Sequence, residues 1–484
     1  MAAHMKLQNI APDWEVYNAL MNTAAACSSY REAWAIFEDM VLVGVKPDIS
    51  MINHLIYAHR QRSSLYLWLI IDRMNQLEIT PNVVTFTLLI NHFIADKNLE
   101  LALRYFHDAR ARGLVPQIKA MHNLVMLAAN LNHPRLAIDL ANWFEEKSAQ
   151  HLDHSTWLAC LSASAMECYA EGVLHCWKVV VEDQNLTPDQ GVCVSVLNTA
   201  ARHGLPDLAT EALRMLKAAG ETWEEYHFAA VIEAFCRNSQ IKEAMITLDI
   251  MRTHGTPATL ETTIPILNAM SISIDVFDRS WGIIEEIQKE GKRIDLAALN
   301  VLIQASIRLG DLQRAVGTYK SFGEYQATPD IFTFNALLDG CISTNHRQLG
   351  DVLLNDMKAA KVQPNEDTYE KMILLCLTQN TYEDAFFYLE EMKVSGYKPY
   401  VRIYAALIRK CIVNDDPRYQ IAVEEMAEQG YEMPISLARD IRQYANNNGQ
   451  KGQGGSEVQE NVRLDGASQR FIETGGLQEE SKAS

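Results

Sequence analysis

The sequence predicts an all-α protein, an α-solenoid of about twelve helix-turn-helix units of ~35 residues wound into a superhelix. Three ladders predict it. With Asn335 of "PDIFTFNALLDG" as reference, the matching positions are Asn18, Asn53, Thr87, His122, Leu158, Val194, Ala229, a residue near Thr263, Asn300, Asn335, Glu370 and Ala405. Each resolved step is 34, 35 or 36 residues. Fifteen residues further on, a small side chain returns at Ala33, Ala102, Ala137, Ala209, Ala244, Ala315 and Ala385, with Gly350 in the same register. A second helix can approach the first closely at each of these points. Proline recurs near the end of the unit at Pro47, Pro81, Pro116, Pro188, Pro329, Pro364, Pro399 and Pro434. It lacks the amide that would continue a helix, so it marks the turn between units.

The elements follow in chain order. Residues 1–13 read as an N-terminal extension and 14–434 as the repeat array. In the unit from Ile331 to Asn365, "FTFNALLDGCI" places apolar residues at helical spacing, "STNHR" interrupts, "QLGDVLLNDMKAAK" resumes and "VQPN" ends the pattern. Glu366 to Tyr400 repeats the plan with "TYEKMILLCL", "TQNTY", "EDAFFYLEEMKVSG" and "YKPY". The units from His122 to Val194 and the one near Thr263 are degenerate, and Pro265 disturbs the register of the latter. A lone hairpin of this size leaves its apolar face in water, so neighbours must stack and share a core. "ISLARDIRQYANNN", 435–448, supplies a closing helix. Residues 449–484, rich in Gly, Ser, Gln and Glu, read as a disordered tail.

Composition narrows the function. The 43 basic and 61 acidic residues give a net charge of −18, which argues against nonspecific coating of nucleic acid but leaves room for a local basic track. The tail holds four basic and six acidic residues, so −16 belongs to the first 448. Nine cysteines without a CxxC pair read as small, buried, reduced side chains. No stretch approaches about 18 uninterrupted apolar residues, so no membrane span is expected. "MAAHMKLQNIAPDW" has neither a signal-peptide core nor an Arg-rich transit pattern: either there is no leader, or this chain begins after it. The eight tryptophans fall mostly at helical core spacing.

Catalytic chemistry finds little to work with. Cys168, His175 and Cys176 in "CYAEGVLHC" lack the second pair that four-coordinate metal geometry needs, and His151 and His154 of "HLDH" are equally incomplete. No phosphate-binding glycine loop, GxSxG, HExxH or deaminase signature occurs. No catalytic residue, metal or cofactor is assigned, and an enzyme is not expected.

"PDIFTFNALLDGC", "YREAWAIFEDMVLVGVKPD" (Tyr30 to Asp48) and "YEDAFFYLEEMKVSGYKP" (Tyr382 to Pro399) together resemble the pentatricopeptide repeat family, over nearly the whole chain outside its two ends. Tetratricopeptide repeats have a similar length. Their small glycine after a leucine in the first helix is absent here, whereas a [TV]-[YF]-N opening and a K-P-D ending are present. The resemblance implies a right-handed superhelix that binds single-stranded RNA in organelles. First helices would line the concave face, where an Asn amide can donate and accept towards an unstacked base, one unit per base. The family's second reader is the last residue of the unit. Carried over position by position, the base-binding pairs are Asn18 with Asp48, Asn53 with Asn82, Asn300 with Asp330, and Asn335 with Asn365. In the family's code these favour pyrimidines, Asn with Asp leaning to U and Asn with Asn to C or U. Thr87 with Gln117, Glu370 with Tyr400 and Ala229 with Glu224 make no readable pair, and Leu158 and Val194 cannot hydrogen-bond a base.

Phosphates need their own partners. Arg202, Arg237 and Arg308 each follow their ladder position by eight residues, and "HRQR", His59 to Arg62, adds charge near that place in the second unit. The plainer readings are that basic residues close helices against the carbonyl dipole, and that a ladder Asn bonds within its helix entrance or to the neighbouring unit. Two functions follow. The first is sequence-selective binding of pyrimidine-containing single-stranded RNA in post-transcriptional gene expression, in the mitochondrial matrix by resemblance to the family. It would stabilise a transcript, process it or activate its translation. The alternative, motivated by the acidity and the unreadable units, is a protein scaffold on the mitochondrial ribosome or other mitochondrial proteins, or in respiratory-complex assembly.

Overall fold

The computed structural model describes residues 12–451. Most of the expected tail, from 452 onward, and residues 1–11 of the extension lie outside the described residues. Among those described, every regular element is a helix. They divide between Trp223 and Glu224 into two compact units.

The first unit stacks six hairpins: α1 (Trp14–Ala26) with α2 (Tyr30–Val43), α3 (Ile49–Ala58) with α4 (Ser64–Gln76), α5 (Val83–Ala95) with α6 (Leu99–Ala111), α7 (Ile118–Asn130) with α8 (Pro134–Lys147), α9 (His154–Met166) with α10 (Ala170–Trp177), and α11 (Gln190–His203) with α12 (Pro206–Ala218). A π-helical turn, Lys178–Asp183, continues α10. The second unit stacks six more. They are α13 (Glu225–Arg237) with α14 (Ile241–Thr253), α15 (Leu260–Met270) with α16 (Ile274–Lys289), α17 (Leu296–Arg308) with α18 (Leu312–Lys320), α19 (Ile331–Thr344) with α20 (Arg347–Ala359), α21 (Glu366–Leu377) with α22 (Glu383–Val394), and α23 (Val401–Val413) with α24 (Tyr419–Glu428). The closing helix is α25 (Ile435–Lys451), three residues longer than the expected 435–448. Gly449 carries only the usual glycine penalty and does not by itself stop a helix.

The first helices start where a polar cap meets their free amides. Asp13, Asp48, Asn82, Asp189, Asp330 and Asn365 each accept a backbone N–H from the third helical residue. Second helices commonly stop at a left-handed residue such as Gly44, φ 86°. Within each unit a first helix packs against its own second helix and against the first helices before and after it.

The small-residue ladder decides how close a second helix comes to the first helices beside it. It is the fourth residue of α2, α6, α8, α12, α14, α18 and α20, and its alanines are fully buried. At Gly350 an added Cβ would stand 2.2 Å from Cδ2 of Leu375 on the next first helix. The space a side chain would fill is taken by the neighbouring repeat. In α4 the corresponding residue is Leu67, also fully buried.

The reference ladder is the fifth residue of every first helix. In the unit where the sequence was ambiguous that residue is Ile264, not Thr263. Pro265 stays inside α15 rather than ending it. Trp157 and Trp177 are buried as expected, whereas Trp14 and Trp68 are more than a third exposed. Seven of the nine cysteines are buried; Cys27 is exposed and Cys168 half-buried. Burial pushes the Cys160 and Cys236 thiols up to about 12, so neither is ionised at neutral pH.

Ala315→Leu should force α18 away from its neighbours and lower the unfolding free energy by about 1–3 kcal/mol, the usual penalty of overpacking. Urea unfolding followed by circular dichroism measures it, with Ala315→Ser as the small-volume control.

Candidate nucleic-acid interface

The fifth residue of a first helix meets the beginning of the next first helix. Asn300 donates from Nδ2 to Oδ1 of Asp330 at 3.1 Å, and the Thr333 hydroxyl reaches Asn300 Oδ1 at 2.6 Å. Asn335 repeats this with Asn365 (3.2 Å) and Thr368 (2.7 Å). Asn53 does so with Asn82 (3.4 Å) and Thr85 (2.7 Å). Three of the four expected pairs are therefore brought into direct contact. The cap residue is itself held by the same threonine, whose backbone N–H donates to its Oδ1 at 2.9–3.0 Å. An ionised Asp330 can only accept, so Asn300 must turn its NH₂ towards it and its carbonyl towards Thr333. The donor pattern of the joint fixes the amide.

The fourth pair is different. Asn18 makes no bond to Asp48, and its Oδ1 is buried without a hydrogen-bond partner. Met51 stands where the other joints have threonine, so the hydroxyl that would satisfy this carbonyl is missing. Asp48 caps α3 alone, through the Met51 amide at 3.1 Å.

Exposure within the joints is uneven. Asn300 and Asn335 are only 8% and 6% exposed, whereas Asp48, Asn53, Asn82, Asp330 and Asn365 are half-buried. All the Asp330 bonds described fall on Oδ1, leaving Oδ2 open. Asn82 and Asn365 likewise accept through Oδ1 and keep their NH₂ groups open. Asn335 is more closed, because a second bond runs from Nδ2 to Asp367 at 3.0 Å. Asp367 lies 3.4 Å from Lys371, which also holds Asp339 at 2.7 Å.

Other ladder positions form joints of other kinds. Thr87 accepts the Gln117 amide at 3.3 Å, His122 is hydrogen-bonded to Thr156 at 2.6 Å, and Glu370 pairs with Arg402. Burial raises the Glu370 carboxyl above the usual range. The unit of Ala229 ends at Thr259; Glu224 caps α13 instead. Two features escaped the sequence reading. One is the bonding role of the threonine three residues after the cap, the T of "VTFT", "FTFN" and "DTYE", whose hydroxyl donates to Asn53, Asn300 and Asn335 of the preceding repeat in turn. The other is an exposed apolar second residue, Val84 in α5, Tyr226 in α13 and Phe332 in α19, lying between cap and ladder residue.

Arg202, Arg237 and Arg308 are all exposed in the last turns of α11, α13 and α17. Arg308 donates to Asn268 at 2.9 Å, Arg202 to the Cys168 sulfur at 3.5 Å, and Arg237 pairs with Glu233 at 2.7 Å. His59 does not add the charge expected of it: burial holds its pKa below the ordinary 6.5, and Nδ1 faces the Leu55 carbonyl at 2.8 Å. Cys176 is buried in the core and His175 is bonded to Asn142 at 3.1 Å. Among the described residues no cluster of three or more His, Cys, Asp or Glu could hold a metal, and no helix is long and apolar enough to cross a membrane.

Thr333→Val keeps the shape of the joint but leaves Asn300 Oδ1 without its donor. The loss should be about 1–3 kcal/mol of unfolding free energy, read as a lower urea midpoint, with Thr333→Ser close to wild type.

The comparisons agree on one family. The models described as pentatricopeptide repeat-containing protein, PPR repeat family, pentatricopeptide repeat domain and PPR repeat match residues 190–322, 329–377, 35–94 with 69–128, and 15–45. Two pentatricopeptide repeat-containing proteins of Arabidopsis thaliana are similar. One is 27% identical over 23% of this chain and 17% of the relative, the other 25% identical over 32% and 18%. The chain thus spans less than a fifth of the length of either. Among solved structures, the pentatricopeptide repeat protein PPR10 from maize is similar at a TM-score of 0.33 and 18% identity, covering 91% of this chain and 67% of that one. The PPR domain of Arabidopsis thaliana protein-only RNase P 1, solved with tRNA, gives 0.33 and 16%, covering 44% and 98%. With four repeat models matching residues 15–128, 190–322 and 329–377 between them, the chain belongs to the pentatricopeptide repeat family.

Proposed function

We propose that this chain binds single-stranded RNA, with the cap-and-ladder joints as base readers. The observation that carries the reading is the Asn300–Asp330 joint. Its amide is orientated by Thr333, the Asp330 Oδ2 is open, and Phe332 stands exposed beside it. Uracil offers an N3–H donor that suits an open carboxylate oxygen, whereas cytosine offers an N3 acceptor that suits the open NH₂ of Asn82 or Asn365. An aromatic face next to the hydrogen-bonding pair supplies stacking. Asn18 with Asp48 and Asn53 with Asn82 form one short reading group, and Asn300 with Asp330 and Asn335 with Asn365 a second. Arg202, Arg237 and Arg308 would meet phosphates. The pyrimidine preference and a mitochondrial role in transcript stabilisation, processing or translation belong to the same proposal; family membership supports the organellar part. The protein acts here as a binder, with no catalytic step. One observation favours the alternative of a scaffold on the mitochondrial ribosome: Asn335 already spends its amide on Asn365 and Asp367.

Fluorescence anisotropy with oligouridine, oligocytidine and oligoadenosine separates the readings. Pyrimidine strands should bind more tightly, and Asn300→Ala/Asn335→Ala, shown folded by circular dichroism, should lose about tenfold or more. Equal binding of all three strands, or no loss in the variant, rejects base reading by these residues.

Replacing Arg202, Arg237 and Arg308 by Gln should reduce the slope of log affinity against log salt by roughly 2, at ~0.7 per phosphate of a single strand. An unaltered slope removes the phosphate role.

A further inference from the structure

Second helices normally show water a polar face. α6 does so with Glu100, Arg104, His107, Asp108 and Arg110. α4, one repeat earlier, exposes Leu65, Tyr66, Trp68 and Leu69 instead, the two leucines to 72% and 56%. At about 100° per residue these four share one arc of the helix, and the same face turns polar only further on, at Asp72 and Gln76. Leu67, Ile70 and Met74 fill the buried side. The core is thus supplied without the outer four, which form a contiguous apolar patch of the sort that marks a binding surface.

The amino-terminal end of the patch is cationic. The Tyr66 ring lies 6.1 Å from Tyr30 and 5.8 Å from His59. Arg62 sits over the Tyr30 ring at 4.1 Å, and Arg60 over Tyr57 at 4.2 Å. Arg31 donates to the Tyr30 hydroxyl at 3.1 Å. Arg60 spends its remaining bonds on the backbone carbonyls of Ala25 and Tyr57. None of the three has a carboxylate partner among the described residues, although the chain is acidic and Arg314, Arg347, Arg402 and Arg418 all have one. Ring faces hold these guanidinium groups in place while leaving their charge uncompensated.

We propose that the outer face of α4 docks a short amphipathic helix of a partner protein, with apolar residues at i, i+3 and i+4 and carboxylates where it meets Arg31, Arg60 and Arg62. The apolar strip supplies contact area, and the guanidinium forks select carboxylates. A membrane fits less well. The flanking α2 and α6 expose Glu32, Glu100 and Asp108, which a flat anionic surface would meet and a helix about 10–12 Å across would not. RNA fits less well too, since the most exposed members, Leu65 and Leu69, offer a base no ring to stack on. This site is independent of the proposed base readers.

The test uses the full chain and a phage-displayed library of helical peptides about four turns long. Selection should enrich acidic amphipathic sequences. Their affinity should fall about tenfold or more in Leu65→Glu/Leu69→Glu and in Arg31→Glu/Arg62→Glu. All four side chains are exposed, and an unchanged circular dichroism melt confirms that both variants fold. No enrichment, or enrichment that survives in the leucine variant, overturns the proposal. So does binding of equimolar phosphatidylcholine–phosphatidylglycerol vesicles, or of oligouridine, that both variants abolish while the peptides show no dependence on the patch.

Discussion

Eight of the twelve hairpins depend on one place where a side chain is nearly missing. At Ala33, Ala102, Ala137, Ala209, Ala244, Ala315, Gly350 and Ala385 the second helix comes close enough for its neighbours to fill the gap, as Leu375 does at Gly350. Interiors are packed as densely as organic crystals, so such a contact tolerates little slippage. It therefore sets the register between repeats. Once the register is set, the fifth residue of a first helix arrives at the cap of the next one.

That arrival explains why one polar position serves two purposes. The joint fastens repeat to repeat with bonds that each contribute modestly, and it leaves a donor or acceptor of the cap open to solvent. In the proposed reading a base would not have to break the joint; it would add to the remaining valence. The same logic accounts for part of the acidity. Asp13, Asp48, Asp153, Asp189, Asp295 and Asp330 all sit at first-helix caps, where a carboxylate meets free amides and the positive end of the helix dipole. Acidic charge here belongs to the helix starts, and arginines must offset it wherever a polyanion is to approach.

The period of the sequence already contained the hairpins and the small-residue contact, because both follow from spacing along a helix, whereas the pairing of Asn53, Asn300 and Asn335 with their caps came from the resemblance to the family. What spacing could not show was the threonine that completes each joint, since Thr at that place looks like an ordinary helix-opening residue. Asn18 was indistinguishable from its counterparts until Met51 was seen in the threonine's place. "SLYLWLIIDRMNQ" is apolar nearly all round, so periodicity alone could not say that Leu65 and Leu69 face water. His59 looked cationic beside Arg60 and Arg62, and only its burial shows that its pKa is pushed below the ordinary value.

Pro265 marks one spot where the stack is mechanically uneven. With no amide at that residue, the Glu261 carbonyl loses its partner one turn back, and the pyrrolidine ring presses on the same group. α15 has eleven residues in which to absorb this, while the flanking α13 and α17 have thirteen each and no such interruption. α15 is therefore the first helix of the second unit that lacks a backbone hydrogen bond in its interior, the place where a helix kinks.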